Sequence, residues 1–344
     1  MLQFGLRAAA ALMAIVSTLT VVAATVVAAT SIEPALAADH GASARRKTLS
    51  KILSWHYQLQ RADVDQLSGS PADLLVIDYA AGRPQRPLGS DDVTKLKSKP
   101  EGGRRIVLAY LSIGEAEEYR FYWKPEWNQT RPAWLVGENC NWPRNHLVRF
   151  WHDDWKSIVM AGADSYLGRI QQAGFDGVYL DLVDAYEPLQ RERPDSRADM
   201  IAFVTGLANT ARRKQPQFMV FPQNGDELLT DRRYREMVDG IGREGVMFRP
   251  EKGRRKPERV RDDVERLQLL RKAGKPVLVV EYVSTQEDAD TARAELGQLG
   301  FVPVIAPRAL DGRDPLAPKT PLTSMKAPAA VQHEHQPVRE CVSY

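Results

Sequence analysis

Cysteine is scarce in this chain of 344 residues: Cys140 and Cys341 are the two present, too few for a disulfide framework. They could pair, but a free Cys140 is an equal reading, since Cys341 falls in a proline-rich tail. A surplus of one charge is lacking too. Lys and Arg number 47 against 44 Asp and Glu, and a net charge of +3 does not support nucleic-acid binding by bulk electrostatics. No glycine-rich phosphate turn follows the first strand-like runs; Gly102-Gly103 precedes one instead, which disfavours a doubly wound dinucleotide fold. Histidine is missing from the ends of the apolar runs, His56 near the first excepted, so Ser or Cys triads and zinc-hydrolase motifs are excluded. No metal or organic cofactor is expected. The pair His333 and His335 lies in the tail, and a metal site needs three or four fixed ligands.

Residues 8–32 carry no charge, follow Arg7, and lead to the small-residue triplet Ala35-Leu36-Ala37. This is the pattern of an export leader over residues 1–37, cleaved before Ala38, which implies a secreted or periplasmic protein. The apolar run is long enough to span a bilayer, so an uncleaved anchor is the alternative, and a membrane contact is expected only in that case. Residues 38–50 read as a flexible linker and residues 313–344, with Pro315, Pro318, Pro321, Pro328 and Pro337, as a disordered tail.

Between them, residues 51–312 repeat a strand-then-helix rhythm. Strand candidates are 55–60, 74–80, 106–113, 177–183, 218–222, 240–244, 277–283 and 301–306. One-sided helical stripes lie between several of them: Trp155, Ile158, Gly162, Tyr166 and Ile170; Ile201, Val204, Leu207 and Ala211; Val264, Leu267, Leu270 and Ala273; Ala289, Ala292, Leu296 and Leu299. Gly174, Gly274 and Gly300 stand where three helices should end in a left-handed residue. Eight β/α units predict a single (β/α)8 barrel of the TIM type. Residues 123–155, after the third strand, are an insertion holding six of the seven tryptophans. It reads either as a sugar platform or as a long loop packed on the barrel.

In such a barrel the C-terminal strand ends face the active site. Asp78, Glu115 with Glu117, Asp181 with Asp184, Glu244 and Glu281 all fall there. Arg243 and Arg308 could neutralise some of them, yet five strands ending in acids are hard to explain as ion pairs alone. Two-carboxylate chemistry remains, the requirement of glycoside hydrolysis.

The same residues carry a resemblance. Tyr110-Leu-Ser-Ile-Gly114-Glu115-Ala-Glu117-Glu-Tyr119-Arg120 with Tyr122-Trp123, then Gly174-Phe-Asp-Gly177-Val-Tyr179-Leu-Asp181-Leu-Val-Asp184-Ala-Tyr186, Pro222-Gln223-Asn224-Gly225 and Gly242-Arg243-Glu244 resemble glycoside hydrolase family 114, the endo-α-1,4-polygalactosaminidases. The resemblance runs from about residue 55 to residue 308 and implies cleavage of an α-1,4-linked galactosamine polymer, a polysaccharide partner and no cofactor. It also implies Asp181 as nucleophile, held ionised by polar neighbours, and Glu244 as acid/base with a raised pKa. Sugar-subsite positions would be Asp78, Tyr79, Tyr110, Glu115, Tyr179, Asp184, Asn224, Tyr282 and Arg308. The chain departs from the family's loop pattern at Cys140, Arg144 and His146, which bears on a distal subsite and the substrate, not on the catalytic pair. A silent glycan-binding barrel and a membrane-tethered component of exopolysaccharide or biofilm processing are the alternatives.

Residues 249–261 hold seven basic side chains in thirteen. A solvated loop is the ordinary fate of such a run, and contact with an anionic glycan or lipid headgroup the functional one. For a cationic galactosamine polymer the run would have to point away from a locally acidic cleft.

Overall fold

The structure, a computed structural model, describes residues 41–82, 86–249, 252–313, 316 and 341–342. Eight parallel strands carry the fold: β1 (Trp55–Gln58), β2 (Leu74–Asp78), β3 (Ile106–Ser112), β4 (Gly177–Asp181), β5 (Met219–Pro222), β6 (Ile241–Glu244), β7 (Val277–Glu281) and β8 (Val302–Ile305). All eight strand candidates are present, each trimmed by a residue or two at its ends. The ladder runs β1-β2-β3-β4-β5 and then β6-β7-β8, and the parallel bridge Gln223–Gly242 joins the two parts. Chain order is therefore sheet order, unlike the reversal that defines a doubly wound sheet. Between β8 and β1 the Trp55 indole donates to the Val302 carbonyl at 2.9 Å.

Alternation along each strand builds two apolar layers. Trp55, Tyr57, Leu74, Val76, Leu108, Tyr179, Phe221, Leu278 and Val280 point inward and pack on one another. Leu75, Ile77, Val107, Val178, Val220 and Val279 point outward beneath the helices. The interior is so filled that a Cβ added at Gly242 would lie 1.7 Å from the Tyr179 hydroxyl oxygen. Glycine is required there because the tyrosine ring takes the space of the missing side chain.

Three expectations are corrected. The first helical stripe is two helices, Asp153–Met160 and Tyr166–Gln172. Gly162 turns left-handed at φ 82°, and the Ser165 hydroxyl caps the second helix, so an unbroken apolar stripe hides a break. The linker is not free: residues 41–49 are helical, Arg45 pairs with Asp239 at 2.9 Å, and Leu49 and Ile52 join the inner cluster below Trp55 and Leu74. Their apolar surface closes the N-terminal end of the barrel. The end of the tail is ordered as well. Cys341–Val342 pairs in parallel with Glu138–Asn139, and Cys140 and Cys341 form a disulfide spanning 201 residues of sequence. The leader and the His333–His335 pair lie outside the described residues. Among the described residues no helix is long and apolar enough to cross a membrane.

The insertion is a small sheet, Cys341–Val342, Leu135–Asn139, Asn145–Val148 and Glu115–Glu117 in that order. Trp123, Trp127, Trp134 and Trp155 follow one another in ring contact at 5.3, 5.0 and 5.1 Å between centroids, and the Trp155 indole donates to the Ile113 carbonyl. Trp151 also packs on the core. Only Trp142 is left half-exposed, so five of the six tryptophans pack the loop down.

Candidate active site

A cleft of about 810 Å³ opens at the C-terminal strand ends, and both Asp181 and Glu244 line it. Asp181 ends β4. The chain reverses directly after it through Leu182, a non-glycine residue at φ 55°, whose carbonyl and Cβ press so closely on Gly114 that no side chain fits there. Tyr110 on β3 donates its hydroxyl to Asp181 Oδ2 at 2.5 Å. Glu244 ends β6 and receives two donors, the Tyr282 hydroxyl on Oε1 and Asn224 Nδ2 on Oε2, the latter at 3.2 Å. Asn224 is itself held left-handed at φ 59° and accepts from the Glu244 amide and from Arg243.

Burial pushes Asp181 up to about 7, and the charge of Glu244 pushes the same way, against the Tyr110 hydrogen bond. This corrects the expectation that polar neighbours hold Asp181 ionised: the Tyr110 hydroxyl and the Leu182 amide are outweighed by desolvation and a like charge.

The other expected residues separate into three groups. Tyr110, Asn224, Tyr282, Asp78, Glu115 and Arg308 do line the cleft. Asp78, however, is already engaged, bound by both terminal nitrogens of buried Arg120 at 2.8 and 2.9 Å. The same guanidinium takes Glu117 at 2.5 Å, and Tyr119 donates to Glu117 at 2.6 Å. Glu115 accepts from Asn139 at 2.7 Å and is pushed by burial to about 8.

Tyr79 and Tyr179 are not in the cleft. Tyr79 follows Asp78, so strand alternation turns it outward, where it meets Tyr166 edge-on at 5.7 Å. Tyr179 shares the inward face of Asp181 but lies one layer deeper, fully buried. Asp184 is displaced as well, into a neighbouring pocket of about 310 Å³ with Glu187, Asp226 and Arg266. Burial, then the charge of Asp181, pushes Asp184 to about 7.

Glu281 is structural. It is fully buried and accepts the amides of Met247 and Phe248 at 2.6 and 3.1 Å, pinning the loop after β6. That pin sets the start of the basic run at the cleft, where Arg249 and Arg255 line the wall, so the condition for a cationic polymer, that the run point away, is not met by these two residues. Arg255 is paired with Asp263 at 2.6 Å, and Arg254, on the same hairpin, with Glu295. Arg243 pairs with Asp226 and Asp263, each at 3.0 Å, on the side of the second pocket. Arg308 neutralises no strand-end acid; its guanidinium lies 5.8 Å from the Trp142 ring centroid.

Several cleft residues were not singled out from the sequence: Tyr57, which donates to Gln223 at 2.7 Å, and Gln223, Arg120 and Tyr119. All but Tyr57 stand inside or beside motifs that carried the resemblance. What identified the motifs could not say which of their side chains face the cavity.

An eight-stranded α/β barrel with paired carboxylates over its C-terminal mouth defines the class of a barrel glycoside hydrolase. The chain belongs to glycoside-hydrolase family GH114, whose pattern matches residues 35–320. It is 34% identical over 274 residues to an uncharacterized protein of Deinococcus radiodurans, covering 78% of this chain and 84% of that one. It is 35% identical over 266 residues to the uncharacterized protein MJ1477 of Methanocaldococcus jannaschii, covering 73% and 75%. The glycoside hydrolase domain of PelA from Pseudomonas aeruginosa has a similar fold, with a TM-score of 0.58, 22% identity and coverage of 75% of this chain and 96% of that one.

Proposed function

We propose that this glycoside hydrolase is exported and cleaves a polysaccharide containing α-1,4-linked galactosamine, with Asp181 as nucleophile and Glu244 as acid/base. The observation that carries the reading is the pair itself: two carboxyls from β4 and β6 facing one cleft, each held by a tyrosine. In these roles Asp181 attacks the anomeric carbon from one side while Glu244 protonates the leaving oxygen. The arginines at the cleft mouth favour N-acetylated units over free ammonium groups there. The leader pattern and the disulfide support an oxidising compartment.

Asp181→Asn and Glu244→Gln are each expected to lower turnover on an α-1,4-linked N-acetylgalactosamine polymer on the order of a thousandfold, with circular dichroism unchanged. Near-native activity in either folded variant would reject the pair. Azide separates the roles: rescue of the acid/base variant yields a glycosyl azide of retained configuration, rescue of the nucleophile variant an inverted one.

A further inference from the structure

We propose that Trp142, Arg308 and Arg249 form a subsite for a uronate, so that the polysaccharide entering the cleft carries acidic sugars beside its amino sugars. This rests on the glycosidase reading above and specifies its substrate. The first support is Trp142, which is 50% exposed at the cleft while the other insertion tryptophans are packed away. An indole kept bare beside a sugar-sized cavity offers the flat apolar surface on which a pyranose face stacks. Its loop starts from the β3 side of the barrel and reaches Arg308, just past β8.

The second support is charge. Arg308 and Arg249 are exposed, line the same cleft, and have no carboxylate partner among the described residues, whereas Arg120, Arg243, Arg255 and Arg266 all do. Arg144 also lines the rim, but it is paired with Glu118 at 3.5 Å and lies 5.8 Å from the Tyr119 ring centroid. Asp78, Glu115 and Glu117 are buried while these arginines are exposed: Arg120 holds Asp78 and Glu117 and offsets one of their two charges, and burial pushes Glu115 up to about 8.

A sugar packed on Trp142 would meet the Arg308 guanidinium, which lies over the ring 5.8 Å from its centroid. That planar fork matches a carboxylate through two parallel hydrogen bonds, and it repels an ammonium. Sequence and geometry agree here, since Arg144 is one of the positions at which the loop leaves the family pattern.

The test is binding, measured by tryptophan fluorescence and calorimetry on the full chain with its disulfide intact and carrying Asp181→Asn, so that no tetramer is cleaved during the measurement. The probes are three α-1,4-linked tetramers, of galacturonate, N-acetylgalactosamine and galactosamine. The galacturonate tetramer is expected to bind on the order of tenfold more tightly than the galactosamine tetramer. Arg308→Gln should cut the ratio of galacturonate to N-acetylgalactosamine affinity by roughly tenfold, and Trp142→Ala should abolish the fluorescence change and most galacturonate binding. Tighter binding of galactosamine, or a ratio unmoved by Arg308→Gln and Arg249→Gln, would overturn the proposal. So would galacturonate binding that survives Trp142→Ala, since that would mark a general polyanion surface. None of these results depends on turnover, so the catalytic reading stands or falls separately with Asp181→Asn and Glu244→Gln.

Discussion

The proton on Asp181 is governed by its neighbours, and each can be removed singly. Burial and the charge of Glu244 raise its pKa to about 7, and the hydroxyl of Tyr110 lowers it. Deleting a like charge favours the ionised form, so Glu244→Gln should move the midpoint down. Deleting a donor to the ionised form disfavours it, so Tyr110→Phe should move the midpoint up. Carbon-13 detection of the Asp181 carboxyl across pH 4–9 reads both shifts (~1 unit or more each, as for a charge or hydrogen bond at close range). A midpoint that stays put in Glu244→Gln would mean that burial alone sets it. None of this was legible in the sequence. Both acids were found because they end apolar runs, but a proton affinity depends on which hydroxyl lies 2.5 Å away, and Tyr110 comes from a strand 71 residues distant.

At the scale of elements, Arg120 ties the insertion to β2 by holding Glu117 and Asp78 together in a buried cluster. Removing a buried cation strands its partners, at a cost of about 3–5 kcal/mol. Arg120→Met is therefore expected to lower the melting temperature by about 10 °C, given a few degrees per kcal/mol for a domain of this size. Adding Asp78→Asn and Glu117→Gln to that variant should recover most of the loss, which calorimetry can check. The strands were readable because those of a barrel are buried on both faces and stand out as short apolar runs between turn signals. Gly174, Gly274 and Gly300, at φ 87°, 73° and 74°, marked helix ends for a backbone reason that needs no tertiary knowledge. The helix over residues 41–49 was hidden, because it is decided by the open barrel end that Leu49 and Ile52 cover. The break at Gly162 and the outward turn of Tyr79 have local causes, a left-handed glycine before the Ser165 cap and alternation after Asp78, that the apolar pattern alone masked.

For the whole molecule, a net charge of +3 says nothing about where the field points. A cationic polymer would need a locally acidic cleft with the basic run turned away. The exposed arginines at the rim oppose such a field where a polymer arrives, and Arg120 offsets one of the two charges of Asp78 and Glu117. KM on a deacetylated galactosamine polymer should fall between low and moderate salt, as repulsion over distances beyond ~8–10 Å is screened. A fully acetylated polymer should show little change, and a rise on the cationic polymer would restore an attractive cleft. The disulfide adds a consequence in time. Cys341 follows every strand of the barrel in the sequence, while Cys140 stands two residues before Trp142. A nascent chain emerges from its N-terminus onward, so all eight strands and both Asp181 and Glu244 are outside the ribosome before the cysteine that braces the entrance. The doorway is fastened only after the barrel has been made, and only where thiols can be oxidised.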